Sequence, residues 1–354
     1  MRLLAQLRES RIPKPSGGEG ALKMSHSAPP QPTTALLERI CSAFAKAQEL
    51  ANEHAEEYGA TQWWKRVRDR NLSPVQTALS TFDITALESM YARFYRDPCS
   101  MGLVSWPPGW EGASPRDAID EAELRILRDE TLYRIGCWRV ETGGRYAVSA
   151  LETPDVGEPF GVWVDGTLVV DRAEYHHACA SRTAALASAA GTVVEVGGGY
   201  GGMAWHLLRV DAEMRYIDFD VPETLALAAY YLGNAFPERP LVLCGEEGDA
   251  LQSLPPGSMA LLPPWTMQCV QDESVDVAFS SHLLCDLHAV ARERYLAEIA
   301  RFTTGYLVDY GREDAAAAEA FERHFHLIER RRTAWHLYRD AEARECEQLL
   351  RPRE

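Results

Sequence analysis

Short apolar runs alternate with helix-like segments along the second half of the chain. The runs of strand length cover residues 192–196, 214–220, 241–244, 259–262, 275–280 and 305–310. Apolar residues at helical spacing predict helices over 202–210, 222–233, 289–301 and 313–324. Strands that alternate with helices form a parallel sheet with helices on both faces. We therefore predict an α/β fold built on a Rossmann-like, doubly wound, mostly parallel sheet.

The residues before this pattern are mainly helical. Residues 1–34 hold scattered prolines and a Ser-Gly-Gly run, which predict a disordered tail. Helical spacing then predicts a helical N-terminal region over 35–144. Its helices are expected through 34–58, 63–71, 73–95 and 116–134.

A hairpin is predicted between this region and the alternating pattern. Strand-like residues 160–164 and 167–170 flank Asp165-Gly166, a strong two-residue turn signal. Asp171 is placed to cap a helix that runs to about residue 190. We assign 145–190 to the hairpin and its connecting helix, 191–340 to a ligand-binding domain and 341–354 to a C-terminal tail.

The segment from Thr192 to Gly202 places a glycine-rich turn directly after an apolar run. Glycine suits such a turn because it adopts positive φ and lets the backbone approach a ligand without a Cβ in the way. The spacing Gly197-x-Gly199-x-x-Gly202 satisfies the dinucleotide fingerprint, in which pyrophosphate lies on a helix N-terminus. The candidate cofactor-binding residues of the turn are Glu195, Gly197, Gly198, Gly199, Tyr200 and Gly201.

A second acidic position follows the next predicted strand. Asp220 lies 21 positions after Gly199, close to the spacing of about 20 expected for a carboxylate that binds ribose hydroxyls. Asp218 is a weaker candidate on the same face, because Asp220 is nearer the strand end. Pro222 and Glu223 are helix-start signals, so Asp220 is also a candidate helix cap.

Several of these segments together resemble the sugar O-methyltransferase family of bacteria. Glu195 ahead of Gly197-x-Gly199-x-Gly201 looks like the first motif of S-adenosylmethionine (SAM)-dependent methyltransferases. The family also carries an acid-x-Pro-Glu-Thr-Leu helix start, found here at 220–225, and a Leu-Pro-Pro-Trp segment, found here at 262–265. A histidine shortly after the fourth strand corresponds to His282. The resemblance covers about residues 145–312.

This resemblance implies a class I methyltransferase fold with SAM as the cofactor. The acceptor would be a hydroxyl group of a small-molecule sugar or glycoside. Residues 191–340 would form the SAM-binding catalytic domain, and the helical region 35–144 could cover the acceptor. The resemblance also implies an antiparallel pair at the sheet edge, at about 327–331 and 333–338.

Methyl transfer to a hydroxyl needs a group that accepts the hydroxyl proton. His282 is the candidate general base, because it follows the apolar run 275–280 and should lie at the ligand-binding edge. Asp286 would share a face with His282 if 282–286 were helical, and would then orient the imidazole. In the alternative interpretation, His282 is a half-buried loop histidine and Asp286 is an acid at a helix start, and neither is catalytic.

Three more residues are candidates for the cofactor site. Trp265 could stack on adenine, although a core tryptophan is an equal expectation. Ser280 and Ser281 end the strand before His282 and are expected to line the same site.

The amino-acid composition limits which classes of partner the protein is expected to have. The formal net charge of −16 argues against nucleic acid. The eight cysteines include no C-x-x-C spacing, which favours free thiols in a reducing cytoplasm and gives no metal site. No apolar run approaches the 18 or so residues of a membrane span, so we expect a cytoplasmic protein without a membrane partner.

Two other functions fit the sequence. The dinucleotide spacing fits an NAD(P)-dependent oxidoreductase, and a catalytically silent SAM-fold protein would act as a partner or scaffold. SAM has no pyrophosphate, so a comparison of SAM binding with NAD binding distinguishes a SAM-dependent protein from an oxidoreductase. The acceptor, the oligomeric state and the start codon (Met1 or Met24) stay open.

Overall fold

A computed structural model of the chain describes residues 34–353, apart from 52, 55–56, 105–120, 247–250, 252, 313, 339, 341 and 343. The tail predicted over 1–34 lies outside the described residues except for Thr34. The described helices of the N-terminal region are α1 (Thr34–Ala51), α2 (Gln62–Asn71), α3 (Ser73–Thr81), α4 (Ile84–Tyr91) and α5 (Glu121–Glu141).

The single helix predicted over 73–95 is interrupted. Phe82 ends α3 in the left-handed conformation, with φ 55°. Asp83 then begins α4, and its side chain accepts a hydrogen bond from the Ala86 N–H at 3.0 Å. An aspartate at this position stabilises a new helix start, because it satisfies an N–H group that has no partner within the helix.

The predicted hairpin is confirmed. β1 (Gly161–Val164) pairs antiparallel with β2 (Thr167–Val170). The turn residues Asp165 and Gly166 have φ values of 48° and 80°. Two consecutive positive φ values are those of a type I′ turn, which matches the right-handed twist of the strands.

The helix cap predicted at Asp171 is wrong. Helix α6 (Ala173–Ala184) begins after Arg172, without a side-chain cap. The Asp171 carboxylate is paired with the Arg134 guanidinium of α5 instead. A buried ion pair therefore takes the side chain away from the helix start.

The rest of the described chain alternates strands and helices, as predicted. The strands are β3 (Thr192–Val196), β4 (Arg215–Phe219), β5 (Leu241–Leu243), β6 (Met259–Leu262), β7 (Val275–Ser281), β8 (Thr303–Arg312), β9 (Phe325–Arg332) and β10 (Glu345–Pro352). The helices are α7 (Gly202–Leu208), α8 (Pro222–Ala235), α9 (Ala289–Phe302) and α10 (Ala315–His324).

Eight of these strands form one sheet, in the order β5-β6-β4-β3-β7-β8-β10-β9. β10 runs antiparallel to both of its neighbours, and the other pairs are parallel. The predicted doubly wound, mostly parallel sheet is thus confirmed. From β3 the chain builds the sheet first on the β4 side and then on the β7 side. The carboxyl ends of β3, β4 and β7 meet where this direction reverses, which is where such sheets bind ligands.

The C-terminal tail predicted over 341–354 is not found. Residues 345–352 form β10, which lies between β8 and β9. The edge pair expected at 327–331 and 333–338 is also wrong in its second member, because 333–338 form turns and β9 pairs with β10. Leu350 of β10 is 2 % exposed, so this strand contributes to the core.

Helices pack on both faces of the sheet and enclose two hydrophobic cores. Alternate residues of β3 show this, because Val193 belongs to one core and Val194 to the other. Leu227 of α8 lies in the core with Val193, and Leu296 of α9 lies in the core with Val194. None of the eight cysteines, all of which lie among the described residues, forms a disulfide. Among the described helices, none combines the length and apolar character that a membrane span requires.

Candidate functional site

A cavity of about 610 Å³ opens at the carboxyl ends of β3, β4 and β7. The glycine turn after β3 lines it, together with Asp220 and Val221 after β4. Ser281 and His282 at the end of β7 also line it, as do residues of the N-terminal region. The volume suits a small organic ligand.

The glycine turn has the backbone geometry that its sequence predicts. Gly197, Gly199 and Gly201 have φ values of 85°, 61° and 92°. Positive φ thus occurs at every second residue from Gly197 to Gly201. Gly202 is in helical conformation and begins α7. A Cβ on Gly199 would have Leu103 as its nearest neighbour, 4.0 Å away. At Gly199 it is therefore the backbone conformation that requires glycine.

Two carboxylates hold this turn in place. The Gly198 N–H donates to Asp218 Oδ1 at 3.0 Å, and the Gly199 N–H donates to Asp220 Oδ2 at 3.0 Å. The second oxygen of Asp220 accepts from the Val221 N–H at 2.7 Å, so Asp220 caps the turn rather than α8, which has no side-chain cap. Asp218 is fully buried, whereas Asp220 lines the cavity.

A third acid lies beside them. Glu195 pairs with Asp218 across β3 and β4, and it accepts a hydrogen bond from the Tyr216 hydroxyl at 2.7 Å. Burial raises the pKa of Glu195 to about 7 and that of Asp220 to about 7, and it raises the pKa of Asp218 well above its usual value. The three neighbouring carboxyl groups thus hold fewer negative charges at neutral pH than their number implies.

Apolar residues form another part of the cavity lining, which we call the apolar wall. It is formed by Phe219, Pro264, Leu283, Leu287 and Tyr295.

Three predicted site residues, Gly201, Trp265 and Ser280, do not line the cavity. Trp265 belongs to the core with Val194, and its ring stacks on His54 with centroids 5.5 Å apart. The proline before it lines the cavity, so the tryptophan side chain turns inward. Ser280 is fully buried, whereas Ser281 lines the cavity and its hydroxyl lies 2.7 Å from the Tyr175 hydroxyl.

His282 lines the same cavity as Asp220. Its φ is 62°, in the left-handed region that few non-glycine residues adopt. Its backbone N–H donates to the Tyr310 carbonyl oxygen at 2.6 Å, which fixes the turn after β7 against β8. Burial lowers the pKa of the imidazole to about 4, so His282 is neutral and able to accept a proton at pH 7.

Asp286 does not stand in the helical relation to His282 that the sequence suggests. Residues 282–286 form bends and turns, and the Asp286 carboxylate accepts a hydrogen bond from the Arg312 guanidinium. Asp286 still lines the cavity, and its charge works against the lowering of the His282 pKa.

Two residues that the sequence did not predict stand next to His282. Glu345 Oε1 lies 3.9 Å from His282 Nδ1, and Glu345 Oε2 lies 3.3 Å from His336 Nε2. The two imidazole rings are edge to face, with centroids 5.3 Å apart. His336 lies between β9 and β10, and Glu345 is the first residue of β10. Only the position of β10 within the sheet brings them next to His282.

The N-terminal region contacts the site directly. Its residues 59–61 and 102–104, with Trp63 and Trp64, line the cavity. The Trp64 indole N–H donates to the Glu223 carboxylate of α8 at 2.8 Å. The Tyr95 hydroxyl lies 3.4 Å from that of Tyr200, which ties this region to the glycine turn.

The strand order, with one antiparallel strand next to the edge, is that of the class I methyltransferase type of doubly wound sheet. The sequence matches no protein-family model and no curated protein. Solved structures with a similar fold include a TehB-like SAM-dependent methyltransferase from Corynebacterium glutamicum. It is 14% identical, with 64% of this chain and 99% of that chain covered and a TM-score of 0.35.

Two further structures show likeness of the same degree. The N-methyltransferase NodS from Bradyrhizobium japonicum, in complex with S-adenosyl-L-homocysteine (SAH), is 13% identical, with 52% of this chain and 89% of that chain covered and a TM-score of 0.35. The [4+2]-cyclase SpnF is also 13% identical, with 52% and 82% covered and a TM-score of 0.37. These likenesses are too distant to bear on activity, and the fold follows from the strand order itself.

Proposed function

We propose that this chain is a SAM-dependent O-methyltransferase that acts on a hydroxyl group of a sugar or glycoside. The observation that carries the cofactor assignment is the group of three carboxyl side chains at the glycine turn. SAM carries a positive sulfonium and an ammonium group, which neighbouring carboxylates stabilise. A dinucleotide pyrophosphate is anionic, and an ionised carboxylate at Glu195 or Asp220, both of which line the cavity, would repel it.

Different residues of the cavity would bind different parts of SAM. An ionised carboxylate has about four acceptor sites. Asp220 uses one on Gly199 and one on Val221, so further sites remain for ribose hydroxyls. Glu195 is the candidate partner of the methionine ammonium group. The apolar wall around Pro264 and Leu283 provides a surface for adenine.

When bound, SAM supplies an electrophilic methyl group. The work of the protein is then to orient the acceptor hydroxyl and to accept its proton. His282 is the proposed proton acceptor, because its neutral imidazole lines the same cavity as the glycine turn. Trp63 and Trp64 offer aromatic faces that suit a sugar ring, so the N-terminal region is the proposed cover for the acceptor.

Calorimetric titration of the full chain with SAM, SAH, NAD and NADH tests the cofactor. We expect SAM and SAH to bind and the dinucleotides to bind far more weakly or not at all. Tighter binding of NAD than of SAM would contradict the proposal and favour an oxidoreductase. Binding of SAM without transfer to a broad panel of sugars and glycosides would favour a catalytically silent protein.

A matched pair of glycine variants shows where the cofactor binds. Gly199 and Gly143 have nearly the same φ, 61° and 63°, but only Gly199 lines the cavity. Gly199→Val and Gly143→Val should therefore strain the backbone similarly. Only Gly199→Val should abolish SAM binding, and undiminished affinity in that variant would remove the glycine turn from the site.

A further inference from the structure

Three side chains form a cluster of metal-binding type: His282, His336 and Glu345. One potential ligand atom from each lies within 4.8 Å of the other two. Each of the three lines the cavity. They come from the turn after β7, from the segment between β9 and β10, and from the first residue of β10.

We propose that His282, His336 and Glu345 form a binding site for a first-row divalent cation such as Zn²⁺. Two imidazole nitrogens and one carboxylate oxygen are a donor set that such cations prefer, and three protein ligands leave a coordination position open for a ligand. Since the cluster lines the cavity, that position would face the proposed acceptor.

The distances suit this role after small side-chain movements. Ligand atoms at about 2.0–2.1 Å from a tetrahedral cation are roughly 3.4 Å from one another. The oxygens of Glu345 lie 3.9 Å from His282 Nδ1 and 3.3 Å from His336 Nε2. The side chains of His282 and His336 are 30% and 29% exposed, so their rings have room to adjust.

The surrounding charges act in both directions. The Arg172 guanidinium lines the same cavity, and its positive charge opposes a bound cation. Arg312 is paired with Asp286, whose carboxylate offsets its charge.

This site goes beyond the proposed methyl transfer, because cation binding needs neither SAM nor an acceptor. In the metal-free protein the lone pair of His282 can accept the proton of the acceptor hydroxyl, as proposed above. With a cation bound, His282 becomes a ligand, and the cation would polarise an oxygen of the acceptor. Failure of either proposal would leave the other one standing.

The test is titration of the chelator-treated full chain with Zn²⁺ by calorimetry and with Co²⁺ by visible absorption. We expect one saturable equivalent in the wild type. His336→Ala and Glu345→Gln should each weaken binding by at least about 10²-fold, because each removes a direct ligand, a greater loss than the 10–100-fold typical of an outer-shell partner. SAM titration and thermal melting verify that the two variants are folded.

His326→Ala is the matched control, since His326 is exposed on β9 and lies outside the cluster. It should bind the cation as the wild type does. Cys285 requires a second control, because its thiol lies 3.6 Å from the Asp286 carboxylate near the cluster. Absence of saturable binding, wild-type affinity in both ligand variants, or loss of binding only in Cys285→Ser would overturn the proposal.

Discussion

At the residue scale, the carboxyl groups of the glycine turn couple cofactor binding to protons. Burial raises the pKa of Glu195 and of Asp220 to about 7. A cationic ligand stabilises the ionised forms and lowers these pKa values, so binding should release protons. SAM affinity should therefore increase as pH rises through 7.

We expect the dissociation constant of SAM to fall by about tenfold between pH 6 and pH 8, as linkage predicts for one carboxyl group with a pKa near 7. Calorimetry in buffers of different ionisation enthalpy measures the protons released. Asp220→Asn should weaken binding and flatten the pH dependence, whereas the same change at exposed Asp272 should alter neither. Affinity that is constant over this range would contradict the electrostatic argument.

The role of His282 is tested against its neighbour His336. Once an acceptor has been found, His282→Ala should lower turnover by about 10²–10⁴-fold, with SAM affinity little changed. His336→Ala should cost much less if His282 acts as the base. Equal losses in the two variants would indicate that the cluster acts as a unit, and near-wild-type turnover in His282→Ala would place the base elsewhere.

The sequence predicts those site residues that follow strand ends. Asp220 and His282 were found because each comes directly after an apolar run, and the ends of parallel strands share one edge. Trp265 shows the limit of this reasoning, because which of Pro264 and Trp265 faces the cavity depends on how the turn is oriented. Glu345 reaches His282 only through the tertiary placement of β10, which no local pattern contains.

At the scale of elements, the predicted strands and helices of residues 192–312 agree with the structure to within a few residues. Their strands are buried on both faces and read as continuous apolar runs. β10 lacks this signal, because Glu347 and Gln348 interrupt it. The Glu347 carboxylate is buried and paired with Arg331, which makes a charged residue compatible with an interior strand.

A matched pair of leucines tests the position of β10. Leu350 of β10 and Leu327 of β9 are paired in register, but they are 2% and 47% exposed. Leu350→Ala should lower the free energy of unfolding by about 2–5 kcal/mol, and Leu327→Ala should change it by less than about 0.5 kcal/mol. Urea denaturation measures both. A small effect of Leu350→Ala would indicate a peripheral strand.

At the scale of the whole molecule, a buried charge network joins α5 of the N-terminal region to the segment that begins α6. Arg134 of α5 pairs with Asp171 and Glu130. Glu174 of α6 lies near this guanidinium, is 1% exposed, and neither of its side-chain oxygens has a hydrogen-bond partner. Burial raises the pKa of Glu174 to about 8, although Arg134 partly opposes this.

The raised pKa predicts how stability depends on pH. In the unfolded chain a glutamate has a pKa of about 4.3, so the folded protein holds the extra proton between that value and about 8. The resulting stabilisation is fully present below pH 4.3 and is lost as pH rises through 8. Glu174→Gln lacks this dependence. Between pH 5 and pH 9 the wild type should therefore lose on the order of 3 kcal/mol relative to Glu174→Gln.

Urea denaturation at pH 5, 7 and 9 measures the difference, and Glu319→Gln, at an exposed position of α10, is the control that should show no such trend. A constant difference between wild type and Glu174→Gln would mean that Glu174 is ionised in the folded protein and that the pairing with Arg134 outweighs the cost of burial.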